Sequence, residues 1–261
     1  MSFIKKILKS FAVAFSLYSK IPMPKFNWAS SDMNFHLCFF SLIGFVIALI
    51  EYVWNLLFLK FNFNQIFYVL ISILIPILIT GGFHLDGFMD TMDAINSYQP
   101  KDKKLEILKD SHIGAFSVIS VISYFLLAIA FSFLINNFAA FICILFSFIV
   151  SRILSGLSVV CFPKAKTQGM LFTESESQNK KFVKICLILE LILTLGFLIF
   201  INLKNWKFTL GFCLSFAFSF LYYFFMSKNK FGGITGDLAG FFVCISELLV
   251  LITSGILCLV L

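Results

Sequence analysis

Seven long apolar runs dominate this chain, at residues 35–58, 64–82, 114–135, 138–161, 182–202, 207–227 and 238–261. A hydrocarbon core about 30 Å thick is crossed by roughly 20 apolar residues of helix. Within it, only helices and closed barrels satisfy the backbone polar groups. Runs of this length predict an all-α fold: a polytopic transmembrane helical bundle of about seven spans. Composition agrees, with 60% of the 261 residues hydrophobic and 13% charged, and a mean hydropathy of +1.00. Soluble chains are about 25% charged, and a water-soluble fold of this size cannot hide so much apolar surface. No internal repeat, linker or second domain is visible, so 1–261 reads as one integral membrane domain.

The first 22 residues form a separate element. Lys5, Lys6 and Lys9 precede the apolar stretch Phe11–Tyr18, as in a signal peptide, but no A-x-A-type site follows and Lys20 interrupts. Ile4, Ile7, Leu8, Phe11, Phe15 and Tyr18 share a helical face with Lys5, Lys6, Lys9 and Ser16 largely opposite. This pattern predicts an interfacial amphipathic helix over 1–22, ended by Pro22 and Pro24. With the N-terminus inside, 17 of the 20 basic residues fall on the inner side, and only Lys60, Lys204 and Lys207 fall outside. The positive-inside rule selects this topology. It predicts a multi-pass protein of the bacterial cytoplasmic (inner) membrane, with long inner loops over 83–113 and 151–181 carrying the polar site residues. The net charge of +7 serves topology and anionic lipid, and no nucleic-acid partner is expected. The seven cysteines show no CxxC or CxxH spacing, so they read as apolar filler in a reducing compartment.

Chemistry is concentrated in Gly81-Gly82-Phe83-His84-Leu85-Asp86-Gly87-Phe88-Met89-Asp90-Thr91-Met92-Asp93. On a helix, Asp86, Asp90 and Asp93 stand at i, i+4 and i+7, within about 60° of one another. Like charges so placed repel, and desolvation near a membrane adds to the cost. A cation between them removes it. Hard oxygen donors without thiolate or a histidine cluster favour magnesium or manganese over zinc. The competing readings are a solvated acidic face and an ion pathway of the kind found in coupled transporters.

Other polar residues carry two readings each. Asp110 either joins the carboxylates, as ligand or base, or caps the next span. Glu106 pairs with Lys103, Lys109 or another neighbour. His84 and His112 flank the carboxylates and could orient a ligand, face phosphate or act as bases. Arg152, the only arginine, is a positive-inside anchor or a phosphate clamp. Gly232-Gly233-Ile234-Thr235-Gly236-Asp237 is a re-entry turn, with Asp237 as N-cap, or a backbone cradle for phosphate. Glu247 reads as half of a buried pair or as a residue in a lipid gap.

These segments together resemble the cobalamin synthase family, the adenosylcobinamide-GDP ribazoletransferases. The likeness runs from Ile21-Pro22-Met23-Pro24 through the 81–93 segment. It continues over Leu105-Glu106-Ile107-Leu108-Lys109-Asp110-Ser111 and Ile113-Gly114-Ala115-Phe116, and closes on 232–237 and Glu247. This chain departs from the family pattern in His112, where arginine is usual, in Ser117, where glycine is common, and in Ala94-Ile95, where a glycine is missing. It lacks the signature of the CDP-alcohol phosphotransferases, since Met89 and Asp90 stand where Ala and Arg would be sought. The resemblance implies adenosylcobinamide-GDP and α-ribazole (or its 5′-phosphate) as substrates, adenosylcobalamin and GMP as products, and Mg2+ as cofactor. It implies Asp86, Asp90 and Asp93 as metal ligands, Asp93, Asp110 and His84 as catalytic groups, and Arg152, Lys164, Lys166, His112, Gly236 and Asp237 around substrate. A homo-oligomer is left open. Another membrane phosphotransferase, an ion-coupled transporter and a non-catalytic membrane assembly protein are the alternatives.

Overall fold

A computed structural model describes residues 3–24, 29–165 and 179–261, and among these it contains helices and turns with no named strand. The α-helices are α1 (Phe3–Tyr18), α2 (Phe40–Phe61), α3 (Gln65–Thr80), α4 (Phe83–Asn96), α5 (Lys101–Ile107), α6 (Ala115–Ser132), α7 (Phe138–Cys161), α8 (Lys180–Ile201), α9 (Trp206–Met226) and α10 (Gly236–Val260). Six helical stretches are long and apolar enough to cross a membrane: those containing α2, α6, α7, α8, α9 and α10. The pair α3 and α4, bent by 95° at its break, brings the number to seven when it is counted as one span. The expectation of about seven spans is met.

Helix α7 lies at the centre, against α2, α8, α9 and α10. Its buried face is rich in small residues, among them Ala139, Ala140, Cys143, Ser147, Ser151, Ser155 and Gly156. Small side chains let apolar helices approach closely, which replaces a hydrophobic driving force where the solvent is itself apolar. The outer helices turn large side chains outward instead, such as Leu193 and Phe200 on α8 and Phe218 on α9. Asn64 and Asn137 cap α3 and α7 by accepting from the Ile66 and Ala139 amides.

Helix α1 is amphipathic as expected, with Phe15 and Tyr18 of the expected apolar face buried, but protein covers it more widely than periodicity selects. Leu8 is 62% exposed, whereas Ser10, Ala12, Val13, Ala14 and Phe15 are buried. The cause is protein contact. Ser10 Oγ donates to the Asp32 carbonyl at 2.7 Å, and Lys9 Nζ lies 3.2 Å from the Asp32 carboxylate. These bonds turn the helix toward the bundle.

The inner segments expected as loops are largely helical: 83–96 is α4, 101–107 is α5, and 151–161 belongs to α7. Glu106 pairs with Lys103 at 2.8 Å, one of its expected partners. The bend between α3 and α4 falls at Gly81 (φ 66°) and Gly82 (φ 80°). Both lie in the left-handed region that favours glycine. Beyond the bend, α4 lies against α6 and the first half of α10. Phe88 stacks on Phe241 at 5.8 Å, and the Ser117 hydroxyl lies 2.9 Å from the Met89 carbonyl oxygen.

Glycine sets the α4–α10 contact. A Cβ at Gly87 would stand 2.7 Å from the Asp237 carbonyl oxygen, and one at Gly240 would stand 3.1 Å from that of His84. Side chains at either site would push apart two backbones that now touch. Gly87→Val and Gly240→Val should each cost about 1–3 kcal/mol, read as earlier thermal unfolding in detergent. Gly196→Val on α8, where an added Cβ meets open space, should stay within about 0.5 kcal/mol.

Candidate active site

The 81–93 segment forms the helix its spacing predicts, so Asp86, Asp90 and Asp93 share one side of α4. Packing adds a fourth carboxylate. Because Gly87 meets the Asp237 backbone, the first turn of α10 is brought to this face. Asp86, Asp237 and Asp93 all act on Asp90 as like charges, while burial withdraws part of its solvent. No lysine or arginine is ion-paired with Asp86, Asp90 or Asp93 among the described residues.

The four carboxylates differ in their surroundings. Asp86 is exposed and Asp90 is half-buried. Both oxygens of Asp93 are engaged by the start of α6. The Gly114 amide donates to Oδ2 at 2.8 Å, the Ser117 amide donates to Oδ1 at 2.9 Å, and the Ser117 hydroxyl lies 2.5 Å from Oδ2. Asp93 therefore caps the span from outside it, using amides that a helix start leaves unpaired. Asp237 has the Thr235 hydroxyl 3.3 Å from its Oδ2, and Thr235, not Asp237, caps α10. Among the described residues, no three His, Cys, Asp or Glu side chains already converge as a metal cage. The donor chemistry still fits a hard cation, since Asp86, Asp90 and Asp237 offer only oxygen and a cation would relieve the repulsion at Asp90.

The glycine turn before α10 is held from outside. The Ile234 amide donates to the Pro163 carbonyl at 2.9 Å, and the Ala165 amide to the Ile234 carbonyl at 3.1 Å. Gly233 leaves room for this crossing, because a Cβ there would meet the 163–165 backbone. Gly236 has open space beside it. Lys164 turns its ammonium to the Val159 and Phe162 carbonyls at the end of α7. Lys166 lies outside the described residues. Asp110 and His112 are both exposed and pair with each other, His112 Nδ1 standing 2.6 Å from Asp110 Oδ1. That contact holds the Asp110 carboxyl below the usual carboxylate range.

Arg152 lies in the interior. It is 1% exposed, and its Nη1 donates to Glu247 Oε1 and to the Phe148 carbonyl, each at 2.7 Å. The Ser151 hydroxyl donates to the same Glu247 oxygen at 2.7 Å. Arg152, Glu247 and His84 line an intramembrane cavity of about 480 Å³ together with Glu51 and Tyr124. His84 is 5% exposed, lies against the Phe40 and Phe83 rings, and has no partner at Nε2 among the described residues. The structure thus groups Asp86, Asp90, Asp93 and Asp237, pairs Asp110 with His112, and sets Arg152 and His84 deeper.

Two contributors escaped the sequence reading. Ser117 stood out only as a departure from the family pattern, yet it anchors Asp93. Lys20 counted toward topology and as the residue that interrupts the first apolar stretch, yet it shares a cavity with Asp86. Its signal was a basic residue lodged between the interfacial helix and the Ile21-Pro22-Met23-Pro24 turn.

Fold and site define a polytopic helical membrane protein with a carboxylate cluster where α4 meets α10. The family profile described as cobalamin-5-phosphate synthase matches residues 10–255. The chain belongs to this family. It is 40% identical over 263 residues to the adenosylcobinamide-GDP ribazoletransferase of Lachnoclostridium phytofermentans, covering 97% of each chain. It is 33% identical to the enzyme of that name from Clostridium botulinum strain Alaska E43, covering 96% of this chain and 98% of that one. The Fusobacterium nucleatum relative is 30% identical, with 92% and 95% covered. No solved structure matches the chain.

The Arg152–Glu247 pair gives a direct test. Arg152→Met leaves Glu247 without its cation, at a cost of about 3–5 kcal/mol. The double variant Arg152→Met with Glu247→Met should recover most of that stability, as measured by denaturation in detergent.

Proposed function

We propose that the protein is an adenosylcobinamide-GDP ribazoletransferase. It joins adenosylcobinamide-GDP to α-ribazole, giving adenosylcobalamin and GMP; with α-ribazole 5′-phosphate the products are adenosylcobalamin 5′-phosphate and GMP. The observation that carries this reading is the carboxylate cluster: Asp90 is partly buried and faces the like charges of Asp86, Asp237 and Asp93, in a chain matched nearly end to end by enzymes of that name. The charge asymmetry of the loops supports a cytoplasmic cluster and N-terminus in the bacterial inner membrane.

The α-ribazole hydroxyl oxygen forms a bond to the phosphorus attached to cobinamide. The phosphoanhydride bond on that phosphorus breaks, and its bridging oxygen leaves with GMP. Such transfers depend on positioning and charge neutralisation more than on covalent help from the protein. Asp86, Asp90 and Asp237 would hold Mg2+, which supplies neutralisation of the diphosphate and of the leaving oxygen. Asp93, committed to the start of α6, fixes the spacing between α4 and that span. Asp110, exposed at the start of the segment before α6 and paired with His112, is assigned as the acceptor of the hydroxyl proton. The Gly236 amide region, His112 and Lys164 are assigned to phosphate.

Asp90→Asn should lower magnesium-dependent GMP release by at least roughly 100-fold with normal membrane insertion. Full activity of that variant in purified protein would sink the metal-site reading. Asp110→Asn should lower kcat by about 10²–10⁴-fold while the KM for adenosylcobinamide-GDP changes little. A change confined to KM would remove Asp110 from proton transfer.

A further inference from the structure

Helix α1 and the chain after it wall a cavity beside Asp86. The Lys20 amide donates to the Ile79 carbonyl at 2.7 Å, which ties the chain after α1 to the end of α3. The Lys20 side chain then runs across Gly81. A Cβ on Gly81 would stand 2.7 Å from Lys20 Cγ and 3.0 Å from Lys20 Cδ. The glycine that makes the left-handed turn thereby also clears a path for the lysine stem. The path leads to a cavity of about 400 Å³, lined by Lys20, Asp86, Gly82, Thr80 and Ser19. Ligand sites commonly have volumes of this order.

Within this cavity, Lys20 and Asp86 do not pair, and no ion pair or side-chain hydrogen bond among the described residues engages the Lys20 ammonium. Opposite charges that line one recess without touching suit a ligand that is itself divided: an anion toward the ammonium and a cation toward the carboxylate. A diphosphate with its divalent cation has that form. A lysine ammonium binds phosphate as a point charge, without demanding the planar geometry of arginine.

We propose that Lys20 binds the diphosphate of the nucleoside-diphosphate-linked substrate, with the phosphates seated between α1 and the Gly81–Gly82 bend. This rests on the proposed reaction for its substrate and on the cavity for its place. A phospholipid headgroup presents the same phosphate chemistry at a membrane surface, so the test separates the two sources.

Full-length protein in nanodiscs would be titrated with GDP, with and without magnesium, and assayed for GMP release, in phosphatidylcholine alone and with added phosphatidylglycerol. Lys20→Met should weaken GDP binding and raise the KM for adenosylcobinamide-GDP by roughly 10- to 100-fold, as for loss of a charged hydrogen bond. The KM for α-ribazole and kcat should stay within about 3-fold, since ground-state binding alone is removed. Lys20→Arg, which keeps the charge and tests folding of the altered site, should return both values to within about 3-fold of the parent. Parental GDP affinity in Lys20→Met overturns the proposal. So does a defect that appears only with phosphatidylglycerol present, which would assign the charge to lipid. If the parent protein binds GDP through Lys20 yet releases no GMP, the proposed reaction fails while the diphosphate site stands.

Discussion

The close approach of α4 and α10 governs the rest of this structure. Two helices can bring their backbones together only where neither carries a side chain, and Gly87 and Gly240 meet that condition on opposite partners. The contact places Asp237, more than 140 residues from Asp90 in sequence, within its electrostatic reach. It also seats Phe88 against Phe241 and settles the depth at which α4 enters the bundle. The acidic cluster follows from backbone geometry, and the carboxylates bear the resulting repulsion.

The interior is organised by a different rule. Where water is excluded, a charge persists only beside its opposite and with its remaining bonds made. Arg152 and Glu247 satisfy much of that demand with help from Ser151 and the Phe148 carbonyl. The pair ties α7, the central helix, to α10, the helix that also joins the carboxylate cluster. The two polar regions of the protein are therefore mechanically linked through one span.

Much of this fold could be read from sequence because a bilayer imposes a length. An apolar run of about 20 residues has few other destinations, and six straight crossings with one bent pair reproduce the runs closely. The carboxylate face was equally legible, because i, i+4 and i+7 is a property of any helix. Partners remote in sequence were not. Arg152 looked like an anchor or a clamp, since Glu247, 95 residues away, could not be matched to it by spacing. Burial of Ser10 on α1 was not legible, because periodicity records amphipathicity and is blind to Asp32. The 95° bend was marked by two glycines, but their angle depends on what α4 packs against.

The embrace of Asp93 by the start of α6 has a consequence for what the cluster presents to an approaching anion. A helix N-terminus carries roughly half a positive charge, and here its amides sit directly on one of the four carboxylates. The cluster holds four acids, but its outward field is weaker than that of four full charges. A polyphosphate nearing it meets a weaker opposing potential than a tally of aspartates suggests. The span that closes one side of the site thus also makes it electrically more approachable.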